Sequence, residues 1–200
     1  MNRREAIQKA TLALGFALSA PAITGILNGC KSAPDLNYQP VFLSKEQAVL
    51  INELSEILLP KTDTPGAKEV GVLSFIDVML KEVYPREEQE KFLKGLAEFD
   101  ADAQKNYGDP FIECTPEQQK ELVKKHHNAA FAENIGGASG NWWDAANKSE
   151  RPFILKVKEL TLLGFFTSEP GATQVLQYNQ VPGPFQGCVP LAEVGKAWAT

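Results

Sequence analysis

Apolar residues recurring at helical spacing, in stretches that prolines bring to a close, constrain this chain more than any other feature of its sequence. Ser44-Lys45-Glu46-Gln47 has capping-box spacing, and Leu50, Leu54, Ile57 and Leu58 follow at i, i+4, i+7 and i+8 before Pro60. That pattern predicts a first helix. After the turn-rich Lys61 to Gly66, a second stripe of Val72, Phe75, Ile76, Met79, Leu80 and Val83 runs to Pro85. A third carries Phe92, Leu93, Leu96 and Phe99 between Arg86 and about Lys105, and Asn106 to Pro110 breaks it. Thr115-Pro116-Glu117-Gln118 then supplies an N-cap, a proline at the first helical position and a glutamine at N3, opening a helix to about Ala132. The last helix is expected from about Glu150 to Phe166, burying Phe153, Val157, Leu160 and Leu163. No run of alternating strand residues and no internal repeat interrupts this series. The expected class is all-α, a loose bundle of about five helices over residues 42–167.

Beyond Phe166 the pattern changes. Pro170, Gly171, Pro182, Gly183, Pro184, Gly187 and Pro190 permit one short turn over Ala172 to Gln177 and no long regular element. Residues 168–200 therefore read as an irregular Pro/Gly-rich arm.

The first 29 residues read as an address. A basic start (Arg3, Arg4, Lys9), an apolar stretch from Thr11 to Ile26 and Gly29 before Cys30 follow signal-peptide order. As a helix the apolar stretch would rise about 24 Å, short of the roughly 30 Å hydrocarbon core, so a permanent span is not expected. Leu27-Asn28-Gly29-Cys30 resembles a lipoprotein signal, with cleavage after Gly29 and acyl chains on Cys30. Residues 30–41, polar with two prolines, then form a lipid-attached tether. Arg3 and Arg4 resemble a twin-arginine export signal, although Ile7 and Gln8 replace its bulky apolar pair; the alternative is a general secretory signal in which they supply only charge. Either route places the chain on the periplasmic side of a bacterial membrane, with inner and outer membrane both open. The full chain has a formal charge of −5, and losing the basic leader makes it more acidic, which argues against a nucleic-acid partner.

Chemistry is sparse. There is no nucleotide-binding glycine fingerprint, no haem-attachment motif and no Glu-x-x-His pair. His126 and His127 are adjacent on a helix and point about 100° apart, so they are expected as one packed and one solvated side chain rather than a metal pair. Glu53 and Glu56 are expected on a solvated face, and Gly136 to Gly140 as a flexible loop. Cys114 and Cys188 lack a local base. They either form a disulfide, closing about 75 residues for about 4 kcal/mol, or remain two free thiols. Trp142-Trp143 is either a partner-binding surface or a loop folded over its own domain.

Two blocks of the sequence resemble a known family. Leu58-Leu59-Pro60-Lys61-Thr62-Asp63-Thr64-Pro65-Gly66-Ala67 with Val70-Gly71-Val72 and Phe75-Ile76-Asp77 is similar to the opening signature of the gluconate 2-dehydrogenase subunit 3 family. So is Leu160 to Glu169 followed by Gly171-Ala172-Thr173-Gln174, Tyr178, Val181-Pro182-Gly183 and Gly187-Cys188-Val189-Pro190-Leu191. The resemblance implies a small accessory subunit of a periplasmic, membrane-associated dehydrogenase. Its large partner in that family is a flavoprotein of the glucose-methanol-choline type, which holds FAD, oxidises a sugar or sugar acid and often passes electrons to a cytochrome c. The small subunit itself brings no redox centre and commonly carries the export signal for both proteins. No catalytic, cofactor-binding or metal residue is therefore expected in this chain. Partner contact is expected at Trp142, Trp143, Thr173, Gln174, Tyr178, Pro182 and Phe185. The alternative function is a stand-alone periplasmic lipoprotein binding module.

Overall fold

Helix-start chemistry fixes the beginning of the fold. In the computed structural model, which describes residues 36–135, 151–181, 183–184 and 187–199, Ser44 Oγ accepts the Gln47 N–H (3.3 Å) while the Gln47 side chain accepts the Ser44 N–H (2.9 Å). This reciprocal cap opens α1, Lys45–Leu58. α2 follows over Val72–Glu82, preceded by Gly71 in the left-handed region, and α3 runs over Arg86–Tyr107. Glu87 and Glu88 in the first turn of α3 and Lys105 in its last complement the helix dipole, and left-handed Gly108 ends it. A 3₁₀ turn, Phe111–Glu113, leads to α4, Pro116–Ile135. There Thr115 and Gln118 repeat the reciprocal cap, with bonds of 3.4 and 2.8 Å.

α5 spans Phe153–Phe166. It starts three residues later than Glu150, the start expected from the sequence. Pro152 is extended at its N-cap, and a proline disfavours helical backbone at the residue before it, here Arg151. α5 is the central element, packed against α1, α2, α3 and α4, which explains why apolar residues lie on most of its sides. Its buried face is Ile154, Val157, Leu160, Thr161, Gly164 and Phe165. Leu163, expected in the core, is 48% exposed because Gly164 turns toward α2 in its place. A Cβ on Gly164 would stand 2.7 Å from a ring carbon of Phe75, so the close approach of α5 to α2 requires glycine.

The core combines aliphatic residues of α1 and α2 with an aromatic group in which Phe99 lies 5.0 Å from Phe111 and 6.0 Å from Phe153. At its centre Thr161 donates a hydrogen bond to Ser55, joining α5 to α1. Among the described residues there is no β-strand, and the class is all-α as the periodicity predicts.

The chain after α5 folds back. A π-helical turn, Gly171–Val175, is followed by a bridge between Gln177 and Trp198 and by a short helix α6, Leu191–Val194. No helix among the described residues is long and apolar enough to cross a membrane.

Candidate partner-docking surface

The end of α5 sets the direction of the C-terminal segment. Ser168 Oγ donates to the Phe165 carbonyl (2.6 Å) and accepts the Gly171 N–H (3.1 Å), reversing the chain directly beyond the helix. A Cβ on Gly171 would collide with the Phe165 carbonyl, so glycine is required for this reversal. The π-helical turn then presents Thr173 and Gln174 to solvent, with the Thr173 hydroxyl donating to the Glu169 carbonyl (2.7 Å). Beyond it Tyr178, Val181 and Trp198 are 59%, 78% and 53% exposed. Between Glu169 and Glu193 the sequence contains no Asp, Glu, Lys or Arg. An exposed, uncharged stretch bearing aromatic and branched side chains has the composition of an interface core, where charge is depleted.

Thr173, Gln174 and Tyr178 thus share one exposed segment. Pro182 and Phe185 of the same segment, the Trp142-Trp143 pair, and Arg3, Arg4 and Cys30 lie outside the described residues. The disulfide considered from the sequence is not formed. Cys114 is buried, its thiol directed at the Asp109 and Pro110 carbonyls of its own turn, whereas Cys188 is an exposed free thiol.

The carboxylates nearest the family-like blocks organise backbone, a role that sequence reasoning missed. Asp77 is fully buried and accepts the Tyr38 hydroxyl (2.9 Å) and the N–H groups of Val41 (2.6 Å), Phe42 (3.2 Å) and Leu43 (2.8 Å). It holds the incoming chain against α2. Burial first, and the Asp77 carboxylate second, push the Tyr38 hydroxyl up to about 12. A signal for Asp77 was present: it falls about one turn after Leu73 and one turn before Leu80 on the apolar face of α2, where an acid must be hydrogen-bonded. Glu56 was expected on a solvated face, yet it accepts the N–H groups of Lys61 (3.0 Å) and Lys68 (2.9 Å) and so closes the loop between α1 and α2. Gly66 lies so close to this carboxylate that a Cβ there would overlap it. Glu53 pairs with Lys68 at 2.6 Å.

The histidines are both half-buried and both partnered, rather than one packed and one solvated. His126 Nε2 lies 2.9 Å from Asp102 of α3, and His127 Nε2 lies 2.9 Å from Lys158 of α5 while its ring stacks on Phe131. They face different helices, as their adjacency requires. Lys125, ahead of the opposing effect of burial and aided by His126, holds the Asp102 carboxyl down at about 2. Near the start of α5, Lys156 pairs with Glu88 over the Tyr84 ring, and this pairing lowers the Glu88 carboxyl. Burial raises that of Glu159, although Arg151 opposes the rise. Among the described residues no group of three or more His, Cys, Asp and Glu side chains is placed to hold a metal ion.

The family described as Gluconate 2-dehydrogenase subunit 3 matches residues 45–183, from the first residue of α1 into the exposed C-terminal segment. No curated protein and no solved structure matches the chain.

Proposed function

We propose, since the chain belongs to the gluconate 2-dehydrogenase subunit 3 family, that it is the non-catalytic small subunit of a periplasmic flavin dehydrogenase, escorting the large subunit through export and anchoring it at a membrane. The large subunit, of the glucose-methanol-choline type, would hold FAD and oxidise a sugar or sugar acid. Electrons would pass from it to an acceptor such as a cytochrome c. The small subunit would contribute the signal containing Arg3 and Arg4, the acyl chains on Cys30 and a docking surface.

One observation carries this reading: the exposed segment after α5 is free of charge from Pro170 to Ala192 and displays Tyr178, Val181 and Val189. Apolar side chains held in water on a charge-free surface are expected to be covered by a partner. The residues of the family-like blocks support the same view. Asp77 and Glu56 accept backbone N–H groups, and Gly66, Gly164 and Gly171 are fitted against Glu56, Phe75 and Phe165. These glycines serve close packing.

Export of the flavin subunit tests the reading. With Arg3 and Arg4 both changed to Lys, the large subunit should stay in the cytoplasm. With Cys30→Ala, the assembled complex should reach the periplasm and leave the membrane fraction. Unchanged export and unchanged membrane association of the large subunit in cells lacking this chain would refute it.

A further inference from the structure

We propose that the segment after α5 meets the large dehydrogenase subunit as a preformed closed loop, latched at its base by Gln177, and not as an extended tail. This rests on the escort-subunit reading above and adds the shape of the docking element and the residue that sets it.

Gln177 joins distant parts of the segment through both its backbone and its side chain. Its N–H donates to the Ala197 carbonyl (2.8 Å), and its carbonyl accepts the Ala199 N–H (2.8 Å), giving the parallel bridge to Trp198. Its side-chain amide donates to the carbonyls of Val194 and Lys196, the latter at 2.6 Å. Gly195, between these two carbonyls, has φ +72, a conformation that L side chains rarely adopt, and the resulting turn aims both oxygens at one amide group. Lys196 adds a bond from its ammonium group to the Gln174 carbonyl (3.3 Å). The chain leaving the π-helical turn at Gln177 and the chain returning at Val194 to Ala199 are thereby tied together at the base of that turn.

Closure matters for binding because a flexible segment loses its freedom on docking, whereas a latched one has already lost it. The loop carries Tyr178, Val181 and Val189, with Trp198 beside the latch, all exposed. With no ionisable Asp, Glu, Lys or Arg from Pro170 to Ala192, it fits an apolar, hydrogen-bonding protein surface rather than a charged one. The family match implies a multi-subunit dehydrogenase, and the proposal places that surface on its large subunit.

The experiment measures affinity between the full chain and the large subunit purified from the complex, using wild type, Gln177→Ala, Gln177→Glu and a chain lacking residues 168–200. Gln177→Ala removes both side-chain donors, and Gln177→Glu places a carboxylate against two carbonyl oxygens. The expected result is a weakening of about tenfold or more for Gln177→Ala, a larger one for Gln177→Glu, and loss of binding on deletion, with the helical content of the body unchanged. Wild-type affinity should change less than about threefold between low and high salt, since no ion pair forms the contact. In the free chain, the amides of Gln177 and Ala199 should be protected from hydrogen exchange.

Loss of binding on deletion together with wild-type affinity for both Gln177 variants would overturn the latched loop and leave the docking role standing. Unprotected Gln177 and Ala199 amides in the free wild-type chain would overturn it as well. Full binding by the deleted chain would overturn the docking role itself. Conversion of a self-associated chain to a monomer by the deletion, with the large subunit still bound, would assign the loop to a second copy and refute the proposal.

Discussion

Replacing Asp77 by Asn should loosen the chain that leads into α1. Asn keeps the shape of the side chain but turns one acceptor oxygen into a donor NH₂. The less costly orientation puts the NH₂ at the Oδ2 position, where the Tyr38 hydroxyl can turn to accept while the Val41 N–H, 2.6 Å away in the native fold, loses its acceptor. The Phe42 and Leu43 bonds to Oδ1 survive as neutral ones. A buried N–H without a partner costs about 1–3 kcal/mol, and losing charge assistance costs about 1 kcal/mol for each surviving bond. Asn avoids the desolvation of a buried carboxylate, which offsets part of this and leaves a net loss of about 2–4 kcal/mol. Against a total of about 5–15 kcal/mol, that is large. Undocking limits the loss, because the chain around Tyr38 and Phe42 can leave the surface and find water before the body unfolds. Urea denaturation should give the size, and hydrogen exchange at Val41 and Leu43 should show early local release. Tyr38→Phe, which removes one bond, should cost about 1 kcal/mol. An Asp77→Asn chain within about 1 kcal/mol of wild type, with Val41 and Leu43 equally protected, would refute the reasoning.

Gly164→Ala drives a Cβ into the Phe75 ring and should cost about 1–3 kcal/mol, read as a lowered thermal midpoint; the same change at Gly108, which has nothing within 4 Å but φ +86, should act through backbone strain alone and not alter α2. Glu56→Gln leaves one of the Lys61 and Lys68 N–H groups facing an NH₂ and should cost about 1 kcal/mol at this exposed site, with faster proteolysis of the loop between α1 and α2. Asp102 is held at about 2 against an ordinary value of 3.8. Its contribution is therefore present above pH 4 and lost as pH falls toward 2; with a side chain 25% exposed to solvent it amounts to about 1–2 kcal/mol, and Asp102→Asn should flatten that acid limb of the stability curve. Tyr38 has the opposite sign. Its raised hydroxyl contributes below pH 10 and loses that contribution between pH 10 and about 12, which ultraviolet titration of wild type against Tyr38→Phe should resolve.

Periodicity and proline made the helices legible. Leu50 and Leu54 marked the buried side of α1, and Thr115-Pro116 with Gln118 marked the start of α4, because caps and apolar spacing are local physics. The face of α5 was harder. Apolar on most sides, it gave no single stripe, so Leu163 was expected in the core where Phe165 is found; the difference was made by Gly164 meeting Phe75, a contact between residues far apart in sequence. The same holds for Asp77 and Glu56, whose partners are backbone amides of other segments, and no sequence pattern names a backbone amide. The prolines and glycines of the C-terminal segment pointed to an irregular arm, but its bridge, its short helix and its closure were not legible. Nothing local to Gln177 announces that its amide reaches the carbonyls of Val194 and Lys196.

Purifying the native assembly through this chain tests the central claim most directly. The account predicts a complex in which the chain and a flavin-bearing large subunit elute together, with all sugar-oxidising activity and all flavin retained by the large subunit after the two are separated. A chain that elutes alone, or that retains a flavin of its own and oxidises a sugar after separation, would contradict it.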